Sequence, residues 1–503
     1  MENRIVIKQD IITKNNLSTK DFCKNSLCPL DYKKILINND KLVPLQDFLS
    51  KKTFKGHDPG SADYMKYSKY RFLKTSNLTE NYCFDDSIIE YCKPPQKNIY
   101  PQKNDILIAV DGKGDGLGKV AIYNNDNSNN SDTIAAGILN LTLKSKLYYI
   151  LGFLKSEHFK SFIDINTAQG STMRHSKSIA LEYMIPFPTV ENNSNPELVE
   201  KLFSAIIKNI VEKEEEIIKK KNTINNLIEL ELSNTKTEDP SKYNYPKIDE
   251  IKTIKRLDTG LYTKTFKSTY NKIKNYINGY FNIDFAYIKS GSTPSVRLMN
   301  KKSSKLIWAT PTDITDEGFL LPKSKISIPS SASHNLTQDA ILLINRTSKG
   351  KKGEYVGISC FYDIAYYGEG HHNQGIYRIE KYTKEKKLFI VAFMNCYISR
   401  KLCGNISYGS KMKEMKSIDF SNFIIPNFSQ EKQNEISKLY YNVAKKEHVD
   451  SIVNYAENEL KRNQDLGIFQ LNVELIKLKK IAKNLVNKIC FNQYININDY
   501  INY

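Results

Sequence analysis

An internal repeat is the feature that most constrains how this chain can fold. The segment at 170–186, GSTMRHSKSIALEYMIP, has a near copy at 409–426, GSKMKEMKSIDFSNFIIP, and the shared residues from the glycine to the isoleucine lie 239 positions apart. The residues between the shared positions differ, with TMRHS at 172–176 against KMKEM at 411–415. One structural element with a constant frame and a variable loop is therefore used twice.

The repeat extends upstream of this element. NDILIAV at 104–110 is similar to QDAILLIN at 338–345, and FLKTSNLT at 72–79 is similar to WATPTDIT at 308–315, at offsets of 234 and 236. Small changes in offset are typical of loop-length differences within a preserved core. The sequence predicts two copies of one domain in the same order.

A long amphipathic helix is predicted after the first copy, over 195–235. Asn195 can cap a helix that begins with Pro196, a residue favoured at the first helical position. At about 1.5 Å per residue this helix would be on the order of 55 Å long. Its apolar positions recur every seven residues at Phe203, Ile210, Ile217 and Ile224.

A second helical region is predicted over 429–490, with Ser429 as its cap and a break at Gly467. Its apolar positions alternate steps of four and three, the spacing of a coiled-coil seam: Leu471, Leu475, Leu478, Ala482, Leu485 and Ile489. We expect the two apolar stripes to pair as an intramolecular antiparallel coiled coil. The alternative is that each stripe packs against its own domain.

The predicted fold class is α/β (α+β), with two similar domains that are each followed by a long helix. The predicted segments are a first domain at 1–190, a helix at 195–235, a linker at 236–248, a second domain at 249–428, a helix at 429–490 and a C-terminal tail at 491–503.

The charge balance favours a polyanionic partner. The chain has 503 residues, with 74 Lys and Arg against 55 Asp and Glu, and a formal net charge of +19. Such a charge suits nucleic acid, because Lys and Arg displace condensed counterions from phosphates. Drift of an AT-rich genome towards Lys codons would also raise this charge. With no apolar run near 20 residues and no secretory signal, we expect a cytoplasmic protein without a membrane segment.

Residue patterns of catalytic and metal sites are weak. The eight cysteines lack the short CxxC pairs that a zinc site uses. The glycine-rich stretch DGKGDGLGKV at 111–120 matches no phosphate-binding motif and predicts a hairpin. CKPPQ at 92–96 lacks the working residues of an amino-methyltransferase tetrad. We therefore predict no catalytic residues and no metal ligands.

Two further features have open interpretations. Glu250-Ile-Lys252 has the acid and lysine of a nuclease triplet, but such triplets are expected by chance in so lysine-rich a chain. His371 and His372 lie in the polar segment YYGEGHHNQG, where a metal site, contacts with base edges or phosphates, and plain solvent exposure all remain possible.

Particular motifs of the second copy match those of a known family. They are RLDTGLY at 256–262, IKSGSTPS at 288–295, IWATPTDI at 307–314 and the closing segment at 409–426. Together with the duplicated domains and long helices, they resemble the specificity (S) subunit of type I restriction-modification systems over nearly the whole chain. In the first copy, GHDPG at 56–60 replaces the Gly-Ser-Thr-Pro element and Phe72 replaces the tryptophan.

The resemblance implies a function in DNA recognition for phage defence. In that family each target-recognition domain recognises half of a split site in double-stranded DNA, and the helices fix the gap. The S subunit is not catalytic by itself. It docks methylation subunits, two by the resemblance, which bring S-adenosylmethionine and methylate adenine. Whether a restriction subunit that uses ATP and Mg also takes part is left open.

Candidate DNA contacts follow from loop position and side-chain chemistry. In the first domain they are Lys51, Lys52, Lys55, Lys113, Lys119, Arg174, His175 and Lys177. In the second domain they are Ser292, Thr293, Arg297, Lys301, Lys302, Arg346, Lys349, Lys351, Lys352, His372, Lys411 and Lys413.

Three rival functions are kept open. One is a self-contained DNA-modifying enzyme, such as an adenine methyltransferase or a nuclease with an unfamiliar site. A second is the specificity chain of a related methylation-based defence system with other partners. A third is a coiled-coil scaffold that binds DNA without sequence preference, which would show salt-dependent binding equal on all duplexes.

Overall fold

The structure is a computed structural model, and it divides into two compact units. The first unit comprises Met1–Glu215, Lys445–Asn463 and Glu474–Tyr503, and the second comprises Glu216–Ala444 and Gln464–Val473. The structure describes residues 37–86, 89–95, 100–113, 116–125, 131–167, 173–191, 193, 195–235, 246–293, 298–299, 306–322, 326–327, 335–348, 355–449 and 451–501.

The strands of the first unit are β1 Leu42–Pro44, β2 Phe54–Lys55, β3 Tyr64–Met65, β4 Arg71–Leu73, β5 Glu90–Cys92, β6 Asp105–Ala109, β7 Asp111–Gly112, β8 Val120–Tyr123, β9 Thr133–Ile134, β10 Ile138–Leu141, β11 Arg174–His175 and β12 Met184–Pro186. Its first helices are α1 Leu147–Leu154 and α2 Glu157–Asn166, and α3 Pro196–Ser233 follows.

Two four-stranded sheets form the core of the first unit. The antiparallel sheet has the order β2-β10-β6-β8, and the other has the order β3-β5-β4-β9, in which β4 and β9 are parallel. Strands β6 and β8 are buried at every residue, because both of their faces are covered. Two short pairs, β1 with β12 and β7 with β11, complete the described strands.

The second unit and the C-terminal region contain the remaining described elements. The helices are α4 Ile248–Ile254, α5 Lys264–Lys274, α6 Ile364–Tyr367, α7 Lys384–Asn395, α8 Tyr397–Ile406, α9 Ser417–Ser421, α10 Gln430–Tyr440, α11 Ile452–Asp465, α12 Ile468–Cys490 and α13 Asn498–Ile501. The strands are β13 Tyr280–Asn282, β14 Lys289–Ser290, β15 Leu298–Met299, β16 Ile307–Ala309, β17 Ile326–Ser327, β18 Asn335–Leu336, β19 Ala340–Ile344, β20 Arg346–Thr347, β21 Ser359–Tyr362, β22 Gly370–His372, β23 Ile376–Ile379, β24 Lys413–Glu414 and β25 Ile424–Pro426.

The second unit repeats the topology of the first, as the internal repeat predicts. Its antiparallel sheet has the order β14-β23-β19-β21, and β16 and β22 form a parallel pair like that of β4 and β9. The pairs β13 with β25 and β20 with β24 repeat β1 with β12 and β7 with β11. The mixed α/β fold class and the duplication are confirmed.

The long helix α3 agrees with its prediction. It runs from Pro196 to Ser233, and the side-chain oxygen of Asn195 accepts a hydrogen bond from Leu198 N at 3.1 Å, as an N-cap does. All ten apolar residues of the two predicted stripes are buried: Phe203, Ile210, Ile217, Ile224, Leu471, Leu475, Leu478, Ala482, Leu485 and Ile489.

Within the first unit, α12 runs antiparallel to α3. Lys213 of α3 lies 2.6 Å from the Glu474 carboxylate at the beginning of the α12 segment of this unit. Ile495 N, beyond the end of α12, donates to the side chain of Asn193, which precedes α3. The end of α12 therefore lies beside the beginning of α3, and the predicted antiparallel orientation is confirmed for this pair.

A third helix, α11, was not anticipated as a separate partner of α3. Asn209 Nδ2 donates to Tyr455 Oη at 3.0 Å, and one turn further along α3, Lys213 Nζ donates to Asn463 Oδ1 at 2.5 Å. Residue numbers rise together along both helices, so α11 runs parallel to α3. The first unit thus contains three packed helical segments.

A buried ionic network joins these three segments. Lys213 is fully buried, and its ammonium lies 3.2 Å from Glu459 and 2.6 Å from Glu474. Arg462 Nη1 donates to the other oxygen of Glu459 at 2.9 Å. Burial lowers the pKa of Lys213 to about 8, although the Glu459 carboxylate acts in the opposite direction. Helical periodicity does not reveal the burial of Lys213, because its side chain is charged.

The region 429–490 is not one helix. Ser429 caps α10 as predicted, since its hydroxyl accepts from Lys432 N at 3.3 Å, and Gly467 lies between α11 and α12. However, α10 ends at Tyr440, because tertiary bonds replace the helical ones. Asn442 N donates to Gln470 Oε1 at 3.0 Å, and its carbonyl accepts from Gly467 N at 2.9 Å.

Phe203, one of the residues predicted to pair helices, packs against α1. Its ring lies 5.4 Å from that of Tyr149 and 5.3 Å from that of Phe153, both on α1. A Cβ at Gly152 would lie 2.5 Å from the Phe203 ring, so α1 and α3 approach closely there. At this position the stripe packs against its own domain, the alternative considered above. No described helix has the length and apolarity to cross a membrane.

Candidate nucleic-acid interface

Two glycines fix a loop in the same place in each unit. Gly56 follows β2, and a Cβ there would lie 1.8 Å from the carbonyl oxygen of Ile134. Gly291 follows β14, and a Cβ there would lie 2.3 Å from the carbonyl oxygen of His372. Only glycine fits such an approach of two backbones. The described residues that follow these glycines, His57 and Asp58 in the first unit and Ser292 and Thr293 in the second, are therefore anchored in the same way.

The described parts of the twin segments, 173–186 and 409–426, close the same region of each unit. Ser176 N donates to Val110 O at 2.8 Å, and Met415 N donates to Asn345 O at 2.8 Å. The short strands β11 and β24 precede these bonds and pair with β7 and β20. The loop after the central strand, β6 or β19, is thereby joined to the closing segment.

In the first unit, a carboxylate gathers two of the predicted contacts. Asp111 lies 3.1 Å from the Lys55 ammonium and 2.9 Å from His175 Nδ1. Lys113 lies two residues after Asp111, Lys177 lies two residues after His175, and both lysines are exposed. The structure therefore brings Lys55 and His175 together, with basic side chains adjacent, around an acid that the sequence analysis did not select.

In the second unit, the equivalent strand pair, β20 with β24, has the opposite arrangement of charge. Arg346 stands opposite Glu414 in the register where Asp111 stands opposite His175. Lys413 lies opposite Thr347, and Lys411 is exposed in the turn before it. The same backbone ladder thus presents different charges in the two units.

The loop after the anchoring glycine also differs in chemistry. Burial lowers the pKa of His57, although the carboxylates of Asp58 and Asp63 act in the opposite direction. At neutral pH its imidazole is therefore uncharged and can donate or accept a hydrogen bond. The second unit has Ser292, which is half-buried, and the exposed Thr293 at the equivalent positions.

Three predicted contacts in the first unit are held by other groups. Arg174 Nη1 donates to Asp164 Oδ1 at 2.6 Å, and its side chain is one-tenth exposed, so it acts in the closing segment as a structural bridge. Lys51 Nζ donates to Gln102 Oε1 at 3.1 Å, at the opposite end of β10 from the anchored loop. Lys119 lies 3.9 Å from Glu80.

The structure places His372, a predicted DNA contact, inside the second unit. His372 is fully buried in β22, and its Nδ1 lies 3.2 Å from Ile376 O. The histidine is buried because β22 lies between β16 and β18, which the polar sequence around it did not reveal. Its neighbour His371 is also buried.

Of the remaining predicted contacts, one lies among the described residues and six do not. Lys52 is exposed. Six predicted contacts lie outside the described residues: Arg297, Lys301, Lys302, Lys349, Lys351 and Lys352. The residues that the sequence analysis missed, Asp111 and His57, could have been found by aligning the two copies residue by residue.

Metal binding and thiol chemistry would require suitable His, Cys, Asp or Glu side chains among the described residues. No group of three or more His, Cys, Asp or Glu among them is arranged to hold a metal ion. The six described cysteines are buried. Burial raises the pKa of Cys403 to about 11 and of Cys396 to about 12, so these side chains are neutral thiols.

The chain is similar to solved structures from type I restriction-modification systems. One is the crystal structure of the S subunit from M. genitalium, with a TM-score of 0.35 and 15% identity, covering 91% of this chain and 97% of that chain. Another is the HsdS subunit from Thermoanaerobacter tengcongensis, with a TM-score of 0.27 and 12% identity, covering 90% and 97%.

A third similar structure concerns the assembly and conformational transition of the type I restriction-modification system. Its TM-score is 0.27 and its identity is 11%, and the match covers 90% of this chain and 98% of that chain. No protein-family model matches the sequence.

Proposed function

We propose that this chain is the sequence-specific DNA-recognition subunit of a type I restriction-modification complex or a related methylation-based defence system. Each unit would recognise one half of a bipartite site. The observation that carries this proposal is a repeated backbone frame with different side chains at the same loop positions. Two domains that recognise different DNA sequences need this arrangement. Side chains distinguish the base edges, and the shared backbone sets the positions of those side chains.

The charge of the chain supports DNA as the partner. The formal net charge is +19, and exposed lysines such as Lys113, Lys177 and Lys411 flank the variable positions. Lysines at such positions contact phosphates and set register, whereas polar groups between them contact bases. A pattern of this kind serves recognition and requires no reacting group.

The long helices would fix the gap between half-sites and dock the methylation subunits. S-adenosylmethionine would enter the complex through those subunits, as would ATP and Mg if a restriction subunit takes part. The chain itself would be non-catalytic and would work in the cytoplasm, where the DNA is. The capped, buried helix α3 supports the role of a rigid spacer.

Two measurements test the proposed function. The purified chain should methylate no adenine and cut no DNA until a methylation subunit is added, and this separates it from a self-contained enzyme. Methylated adenines should be mapped in cells with and without the gene. A split motif that disappears with the gene is expected, and methylation or cleavage by the chain alone would contradict the proposal.

A further inference from the structure

A β-turn occupies the same place in both units, next to the anchored glycine loop. In the first unit it spans 135–138, where Ile138 N donates to Ala135 O at 2.9 Å. In the second unit it spans 373–376, where Ile376 N donates to Asn373 O at 3.0 Å. Each turn connects a strand of the parallel pair to a strand of the antiparallel sheet.

The two turns are fixed by the same external bonds. Val110 N donates to Gly137 O at 2.9 Å, and Asn345 N donates to Gly375 O at 3.0 Å. A Cβ at Gly375 would lie 2.8 Å from Pro311 Cγ, so the turn is packed against the segment that follows β16. The backbone of each turn is therefore a rigid platform in an equivalent position.

The second position of the turn differs between the units. The first unit has Ala136, a methyl group, and the second has Gln374. The Gln374 side chain is exposed and forms no hydrogen bond to a described residue. The backbone carbonyl of Gln374 accepts a hydrogen bond from Asn345 Nδ2 at 3.0 Å. A fixed backbone thus presents a free carboxamide to solvent.

The neighbouring amide is occupied within the unit. Asn373 Nδ2 donates to Thr293 Oγ1 at 3.1 Å, and Asn373 Oδ1 accepts from Gly375 N at 2.7 Å. Asn373 therefore joins the turn to the loop after Gly291. Of the two adjacent amides, Gln374 is the one whose donor and acceptor remain available.

We propose that Gln374 contacts an adenine edge in the half-site recognised by the second unit, an inference that rests on the proposed function. A carboxamide donates and accepts at once, which matches N7 and N6 of adenine in the major groove. Arg346 follows Asn345 in the sequence, and the Asn345 side chain donates to the turn, so Arg346 would bring a cation close to Gln374 for contact with a phosphate. Ala136 gives the first unit an apolar contact at most, and the two half-sites differ there.

The test uses the full complex in cells and maps its methylation motif. With Gln374→Ala, we expect the preference for A at one position of one half-site to fall by about tenfold or more. The other half-site and the gap should stay unchanged. Gln374→Glu should shift the preference at that position towards C, because a carboxylate accepts from the cytosine amino group.

A matched control is Gln338→Ala. Gln338 is also an exposed amide of the second unit, but it precedes β19, at the opposite end of that strand from the turn. The methylation motif of the Gln338→Ala complex should equal that of the wild type. Thermal unfolding of all variants should also match the wild type, because the replaced side chains are exposed.

The outcomes separate the two proposals. A wild-type split motif that Gln374→Ala and Gln374→Glu leave unaltered would overturn the role of Gln374 and leave the proposed function standing. A change in both half-sites would also overturn that role. Absence of any split motif in the wild type would overturn the proposed function and the Gln374 contact with it.

Discussion

The two units differ in the side chains that meet at the parallel strand pair of each core. Where β4 and β9 meet in the first unit, Arg71 forms a bidentate pair with Asp132, at 2.6 and 2.7 Å. At the equivalent positions the second unit has Ile307 and Gly370, which stand opposite each other in β16 and β22. A retained backbone therefore tolerates exchange of a buried ion pair for an apolar contact.

The loops show the same independence of frame and side chain. The first unit presents His57 and Asp58 after its anchoring glycine, and the second presents Ser292 and Thr293. The frame is held by backbone hydrogen bonds, which depend little on side-chain identity. The difference between the units teaches that side chains at these loops can change without cost to the fold, as a recognition surface requires.

The largest expected effect comes from breaking the ion pair of the first unit. Asp132→Ala leaves the Arg71 guanidinium without its carboxylate, and we expect unfolding free energy of the first unit to fall by about 3–5 kcal/mol. The double variant Arg71→Ile with Asp132→Gly copies the second unit and should regain most of this loss. Denaturant unfolding measures both.

An exposed carboxylate provides the control for that experiment. Asp40→Ala should leave the free energy of unfolding unchanged within about 0.5 kcal/mol. If the double variant is no more stable than Asp132→Ala, the apolar contact of the second unit cannot replace the ion pair of the first unit.

The anchoring glycines should give the next largest effect, and an equal one in both units. Gly56→Ala and Gly291→Ala each force two backbones apart, at an expected cost of about 1–3 kcal/mol to the unit concerned. Hydrogen exchange should show the loss confined to that unit. Gly116→Ala is the control, because a Cβ there meets no atom within 4 Å. If Gly56→Ala and Gly291→Ala are both as stable as the wild type, the two units do not share this close backbone contact.

A smaller effect is expected at a turn in which the units use different acceptors. Asn77 Oδ1 accepts from Lys74 N at 2.7 Å, and Asp313 Oδ2 accepts from Thr310 N at 2.8 Å. Asp313→Ala should cost the second unit about 1–2 kcal/mol in thermal or denaturant unfolding. Asp313→Asn should cost less, because it copies the first unit, and an Asn variant as unstable as Ala would contradict the equivalence.

The smallest effects should appear in DNA binding. Lys177→Ala and Lys411→Ala each remove an exposed ammonium, and each should lower the slope of log affinity against log salt by about one. The loss of affinity should be the same on all duplexes, because phosphates carry no sequence. Lys160→Ala on α2 is an exposed control. Unchanged slopes for Lys177 and Lys411 would exclude both from the interface.

Much of the fold follows from the sequence because it depends on repeated local patterns. The repeat gave the shared topology, and Asn195 with Pro196 gave the start of α3, since capping is a local interaction. Burial of the seven-residue stripe also follows from helical periodicity. These features need no knowledge of which segments meet in space.

Features that depend on tertiary contacts were missed. Lys213 has the composition of a surface residue, and only its approach to Glu459 and Glu474 makes burial acceptable. The end of α10 at Tyr440 depends on bonds to Gly467 and beyond. His372 lies in a polar sequence, but strand pairing places it inside the second unit.

The candidate site was predicted in outline and not residue by residue. The sequence identified the variable loops at 172–176 and 411–415, and it selected Lys55 and His175. It could not show that Asp111 joins those two, or that Gln374 stands on a rigid turn, because both facts depend on strands far apart in sequence.

Under the proposed function, the two domains share one backbone fold and recognise DNA independently. The most direct test replaces residues 1–190 by the corresponding domain of another chain with the same duplicated architecture. Methylated adenines are then mapped in cells that carry the complete system. We predict that one half of the split motif changes, while the other half and the gap are retained. A change in both halves, or in neither, would contradict the account.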